Sequence, residues 1–269
     1  MTFLHKIKTK VKISNSKIII GLEYFIKAHQ FVWKNQLGRH LLISGFIFLL
    51  FFSGTIKLLI YSINSFEPQV TTFLISILKD YLNFSVEELK IGIKAIFWLI
   101  RNAVESNKDS IFISIFLVVG TPYFSFISRK VENIIHNRSA NLNSGNLWKE
   151  IIRGLKISIK NSFKQFFLIV LITLFSFIPF LGILSPLLIF IVQTYYNGIL
   201  MSDYSLEQQG YSVKESRAFY SENKAKLFSI GLGFMFLLLI PVVGWFFAPT
   251  YSLVASSLFF SQKRSENKV

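Results

Sequence analysis

The chain has 269 residues, 29 Lys and Arg against 14 Asp and Glu, no cysteine and a mean hydropathy of +0.51. A hydrophobic share of 52% that includes 30 phenylalanines suits a polytopic membrane protein and exceeds what a soluble core needs. The basic residues are clustered and Phe lies among Ile and Leu, which argues against a nucleic-acid surface, and the lack of cysteine excludes disulfides, thiolate metal sites and cysteine nucleophiles.

Residues 1–16 form a basic arm. Lys6, Lys8, Lys10, Lys12 and Lys17 precede only a brief apolar run at 18–22, unlike a secretory signal, so the arm is expected to remain. The first strong apolar block, 41–63, is long enough to span a bilayer, with Gly45 and Gly54 inside it. Lys57, near its far end, either snorkels to the headgroups or lines a conduction path. Residues 64–109 are mixed; Phe73, Leu74, Ile77, Leu78 and Tyr81, and then Ile93, Ile96, Phe97 and Ile100, recur at helical spacing. Such helices lie on the membrane or form the foot of a long second helix.

A second span is predicted at 111–127, kinked or ended by Gly120-Thr121-Pro122. Over 147–164, Leu147, Ile151, Leu155, Ile159 and Phe163 fall on one stripe, with Lys149, Arg153, Lys156, Lys160 and Lys164 on another. That pattern predicts an interfacial helix against anionic membrane lipids.

Two later apolar stretches share their punctuation: Ile178-Pro179-Phe180-Leu181-Gly182 with Pro186 following, and Ile240-Pro241-Val242-Val243-Gly244 with Pro249 following. Proline removes a backbone donor and blocks the preceding turn, so each Pro-x-x-Gly ends a helix and turns the chain. The arm at 163–178 is about 16 residues, roughly 24 Å against a hydrocarbon core of about 30 Å, and the arm at 228–240 is shorter. Two re-entrant hairpins, 163–201 and 227–260, are therefore expected, joined by a polar loop at 202–226 and with Pro179, Gly182, Pro241 and Gly244 at their tips. Residues 261–269 form a polar tail.

Together these elements predict one all-α integral membrane domain over 1–269. It has two long transmembrane helices, two partly penetrating helical hairpins and an amphipathic interfacial helix. Residues 1–40 carry eight Lys/Arg against one acid, 128–164 eight against two, and 64–110 five against six. By the positive-inside rule the amino terminus and 128–164 are cytoplasmic and the middle segment is outside. Both termini are then cytoplasmic.

In this order the motifs resemble one family, the CysZ-type sulfate permeases and their etoposide-induced protein 2.4 relatives, over roughly residues 17–260. The resemblance rests on Gly38-Arg39-His40, Thr121-Pro122-Tyr123 with Val131-Glu132, Lys149-Glu150-Ile151-Ile152-Arg153, both Ile-Pro-x-x-Gly turns and Asp203-Tyr204. It implies a homo-oligomer in the bacterial inner membrane that imports sulfate for assimilation into cysteine. In the permeases a Gly-Leu-Arg type sequence opening the first long helix forms an anion site; here arginine follows glycine directly. The eukaryotic relatives suggest an alternative, a non-transporting scaffold or membrane-homeostasis protein.

The residues themselves make an anion site plausible at Gly38, Arg39 and His40. A helix amino terminus offers unpaired N–H groups, arginine adds a planar fork of donors, and histidine titrates near pH 6.5. Interfacial anchoring is the other reading of Arg39 and His40. Asp203 and Tyr204 are either a gate or proton acceptor, or a helix cap and interfacial hydrogen bond, with Arg217 or Lys149 as candidate partners for Asp203. The histidines at 5, 29, 40 and 136 are not spaced as metal ligands and no Gly-rich phosphate loop opens a helix, so neither cofactor, metal nor enzymatic activity is expected.

Overall fold

The computed structural model describes residues 3–79, 81, 85–137, 147–176, 178–240 and 242–266, and among these there are ten helices and no strand. Pro241 lies outside the described residues. Helix α1 (Phe3–Lys34) takes in most of the basic arm. Tyr24, Ala28 and Val32 recur every fourth residue on its buried face, which packs on the last two helices, while Ile19, Ile26 and Trp33 remain exposed. The helix ends because Gln36 adopts φ +54°, which lets the Leu37 amide reach the Val32 carbonyl at 2.9 Å.

Helix α2 (Gly38–Leu78) runs 41 residues, about 60 Å at 1.5 Å per residue, which is twice a hydrocarbon core. Its first half packs on the last helix: Ser44 donates to the Phe246 carbonyl at 3.0 Å, and Phe48 stacks on Trp245 with ring centroids 4.8 Å apart. Lys57 is exposed, as a snorkelling side chain would be. Helix α3 (Val86–Ser106) starts at a capping box in which Ser85 and Glu88 satisfy each other's backbone amides, then returns along the second half of α2. Arg101 fastens the pair, 2.9 Å from Glu67. The mixed stretch after the first apolar block is thus a helical hairpin that prolongs the long helices.

The second predicted span is not straight. Helix α4 (Lys108–Val119) has 12 residues, about 18 Å, and α5 (Thr121–Ile135) leaves it at 63°. Gly120 sits at the corner with Pro122 in the first turn beyond it, and a Cβ on Gly120 would lie 2.9 Å from the Phe116 carbonyl oxygen.

Helix α6 (Leu147–Phe175) joins the predicted interfacial helix and the first hairpin arm into one piece of 29 residues, and α7 (Pro179–Gln208) has 30. By length and composition Ile151–Phe175 and Gly182–Gln208 are each able to cross a bilayer, as is Val243–Ser261. Lysines close the apolar run in the sequence, but their long stems leave the helix ladder unbroken, so the arm is longer than its apolar composition shows. The polar loop is also mostly helical: α7 runs through it to Gln208, and α8 (Val213–Glu222) begins at a second capping box, Ser212 with Glu215. In the second hairpin α9 (Lys224–Leu238) has 15 residues, about 22 Å, and α10 (Val243–Glu266) has 24.

The two turns share a geometry. The Gly182 amide reaches the Ile178 carbonyl at 2.8 Å, and the Gly244 amide reaches the Ile240 carbonyl at 2.8 Å. A Cβ on Gly182 would meet the Ser176 carbonyl oxygen at 2.6 Å, and one on Gly244 the Leu237 oxygen at 2.1 Å. Each glycine therefore lets the descending helix start against the backbone of the one it leaves. The hairpins then pack on each other through α7 and α9, where a Cβ on Gly198 would fall 1.9 Å from the Leu227 oxygen and one on Gly231 1.7 Å from the Thr194 oxygen. Large apolar side chains face outward near the turns, Ile183 at 80% exposure and Leu239 at 70%. Such a surface requires lipid, and the protein is a membrane protein.

Candidate functional site

The start of α2 brings a histidine and two cations together. His40 is buried in the first turn, ahead of the spanning run that begins at Leu41, and Arg39 beside it is exposed. The Tyr123 hydroxyl donates to the His40 carbonyl at 2.9 Å and lies 3.3 Å from Nδ1, while Lys130 Nζ lies 3.3 Å from Nε2. Because an ammonium only donates, this set fits a neutral ring with its proton on Nδ1. Burial, then Lys130, then Arg39 hold its pKa down at about 4. Gly38 permits no unusually close approach, since an added Cβ would meet only the Trp33 ring at 3.5 Å. Lys130, from α5, was not among the residues singled out from sequence, although it lies between two motifs that were.

A second cluster surrounds Arg153. The guanidinium reaches Asp203 Oδ2 at 3.1 Å and Oδ1 at 3.4 Å, Glu207 at 3.3 Å and the Ser216 hydroxyl at 2.8 Å. Tyr220 also donates to Asp203. Its hydroxyl, on α8 outside the spans, is pushed well above the ordinary phenol range by burial and then by the Asp203 charge. Asp203 thus stands inside α7 and is no helix cap, and its cation is Arg153, with neither Arg217 nor Lys149 in that place. Tyr204 is fully buried on the next face, its hydroxyl 3.2 Å from Thr121 Oγ1, which donates onward to Ser158 at 3.3 Å.

From that cluster, polar side chains continue along the α4, α6 and α7 interior. Ser158, Gln165 and Thr173 repeat at seven and eight residues, one face of α6. Gln165 is fully buried, and neither atom of its amide has a hydrogen-bond partner. Gln193 of α7 donates to Ser110 of α4, and Asn107 donates to Thr173 at 3.0 Å. These last residues open into a cavity of about 770 Å³ at the hairpin turns, with Asp109, Ser176 and Ser185 on its wall.

Over residues 24–249 the chain matches the family described as sulfate transporter CysZ/etoposide-induced protein 2.4. The chain belongs to that family. No curated protein matches it. Membership covers every motif on which the resemblance was drawn, from Gly38 to Gly244. For a CysZ/etoposide-induced protein 2.4 member, the structure leaves Gly38, Arg39 and His40 adjacent on α2 and sets Asp203 and Tyr204 on separate contacts, Arg153 and Thr121. The turn residues Gly182 and Gly244 act on backbone geometry. Gln165 and Gln193 escaped the sequence reading because a lone glutamine in an apolar helix carries no spacing signal; intramembrane polarity itself was the available sign.

Proposed function

We propose that this chain is a permease for a small oxyanion, sulfate first, moving through each protomer of a homo-oligomer in the cytoplasmic membrane. The supporting observation is the set of buried and half-buried polar side chains on α4, α6 and α7, Gln193 at the 770 Å³ cavity, Gln165 and Thr121, with Arg153 at the other end of α6. Burying an amide without a partner costs about 1–3 kcal/mol, and a hydrated solute path gives such groups partners during passage. Arg39 and Lys130, at the start of α2, supply cations that would gather an anion at one mouth. At the Arg153 end an anion meets one guanidinium already paired with two carboxylates.

The family's second possibility, a scaffold without transport, is favoured by the depth at which Arg153 and its carboxylates are buried, which closes that end of the path. Sulfate flux into proteoliposomes separates the two. Flux lowered several-fold by Gln165→Leu supports the permease, and no flux of sulfate or its analogues supports the scaffold.

A further inference from the structure

A separate cavity of about 490 Å³ is lined by α1, the C-terminal end of α5 and α10. Its polar lining is Lys27, Gln30 and Lys34 from α1, His136 just past the end of α5, and Ser261 from α10. Lys27 and Lys34 are seven residues apart, on one face about 10 Å from each other along the axis, with Gln30 between them. Lys27 is held over the Tyr24 ring at 4.3 Å. One carboxylate lies near the floor, Glu132, and it already accepts from Ser205 at 2.9 Å and Ser261 at 3.4 Å and pairs with His136 at 3.2 Å. Its charge is spread over those groups, and the two ammonium groups dominate the rim.

We propose that this cavity binds the phosphate headgroup of an anionic membrane lipid, with the phosphate between Lys27 and Lys34 and a donor from Gln30. Free phosphate has the same oxygen chemistry, but two features favour the lipid. The remaining wall is apolar, made by Tyr24, Phe31, Ile135 and Leu258, and would cover the glycerol end of an acyl chain. Next to the lysine face, α1 exposes Ile19 at 59%, Ile26 at 66% and Trp33 at 56%, a stripe that lies in the interface beside such a headgroup. The site is independent of the transport path and would tie α1 and the adjoining second hairpin to the charge of the leaflet.

The test is binding of fluorescent phosphatidylglycerol to the purified full-length protein in neutral detergent, competed by phosphatidylglycerol, phosphatidylcholine or inorganic phosphate. Phosphatidylglycerol should compete far better than phosphatidylcholine. Lys27→Gln/Lys34→Gln should weaken binding about twenty-five-fold, about fivefold per lysine at ~1 kcal/mol each. Lys90→Gln/Lys94→Gln, the same charge loss on exposed positions of α3, should leave binding within twofold. Gln30→Trp should weaken it at least several-fold by setting an indole between the two lysines, both of which are kept, and this decides the matter if the double variant fails to fold. Equal loss in the two lysine pairs, equal competition by both lipids, or competition by inorganic phosphate at the lipid's own concentration would each overturn the assignment.

Discussion

Arg153 and Asp203, fifty positions apart, face each other as a two-pronged fork with N···O distances of 3.1 and 3.4 Å, both side chains largely buried. The contact ties α6 to α7 at the end of the bundle remote from the turns, and Ser216 and Tyr220 extend it to α8. Removing one partner leaves an uncompensated buried charge. Asp203→Ala and Arg153→Ala should each destabilise by about 3–5 kcal/mol, and the double variant by much less than the sum. Thermal unfolding in detergent of the two single variants and the double variant measures this, and additive losses would show that the pair is not coupled.

Where α7 meets α9, the obstacle to a side chain is backbone. A Cβ at Gly198 falls on the Leu227 carbonyl and one at Gly231 on the Thr194 carbonyl, neither of which can rotate aside. Gly198→Ala should therefore cost about 1–3 kcal/mol or more, whereas Gly54→Ala, with nothing within 4 Å, should cost nothing measurable. Equal melting temperatures for these two variants would mean that the hairpins pack less closely than described.

His40 makes a pH prediction of definite sign. Its folded pKa, about 4, lies below the unfolded value of about 6.5, so the unfolded chain binds more protons in between. The neutral ring's contribution to stability is complete above pH 6.5 and is lost as pH falls through 4. His40→Gln should flatten the stability profile between pH 6.5 and 4, and should not change the pH dependence of transport between 6 and 8. A flux profile that His40→Gln shifts within that upper range would contradict the neutral ring described for His40.

Glu207, beside Arg153, sets a carboxylate at the far end of the proposed path. Glu207→Gln keeps the size of the side chain and removes one charge, so it should raise sulfate flux into proteoliposomes. Flux that is unchanged in a folded variant would take the path away from this cluster.

The hairpin turns are legible in the sequence because proline and glycine act locally: Gly182 and Gly244 serve the same turn in both repeats. The Arg153 cluster was not. Arg153 was one member of a basic stripe, and nothing local distinguished it from Lys149 or Lys156; only the crossing of α6 and α7 selects it for Asp203. The length of α6 was hidden for a related reason, since Lys156, Lys160 and Lys164 interrupt an apolar pattern without interrupting a helix. Arg39 and His40 were legible as neighbours, but the neutral state of His40 depends on its burial and then on Lys130, ninety residues away.

The most direct test of the transport reading is radiolabelled sulfate uptake into proteoliposomes holding the wild type, Arg39→Ala and Gln165→Leu. Sulfate should enter at a rate well above protein-free vesicles, and both substitutions should slow it at least several-fold with the melting temperature preserved for Arg39→Ala. Uptake indistinguishable from protein-free vesicles, for sulfate and its analogues alike, would contradict it.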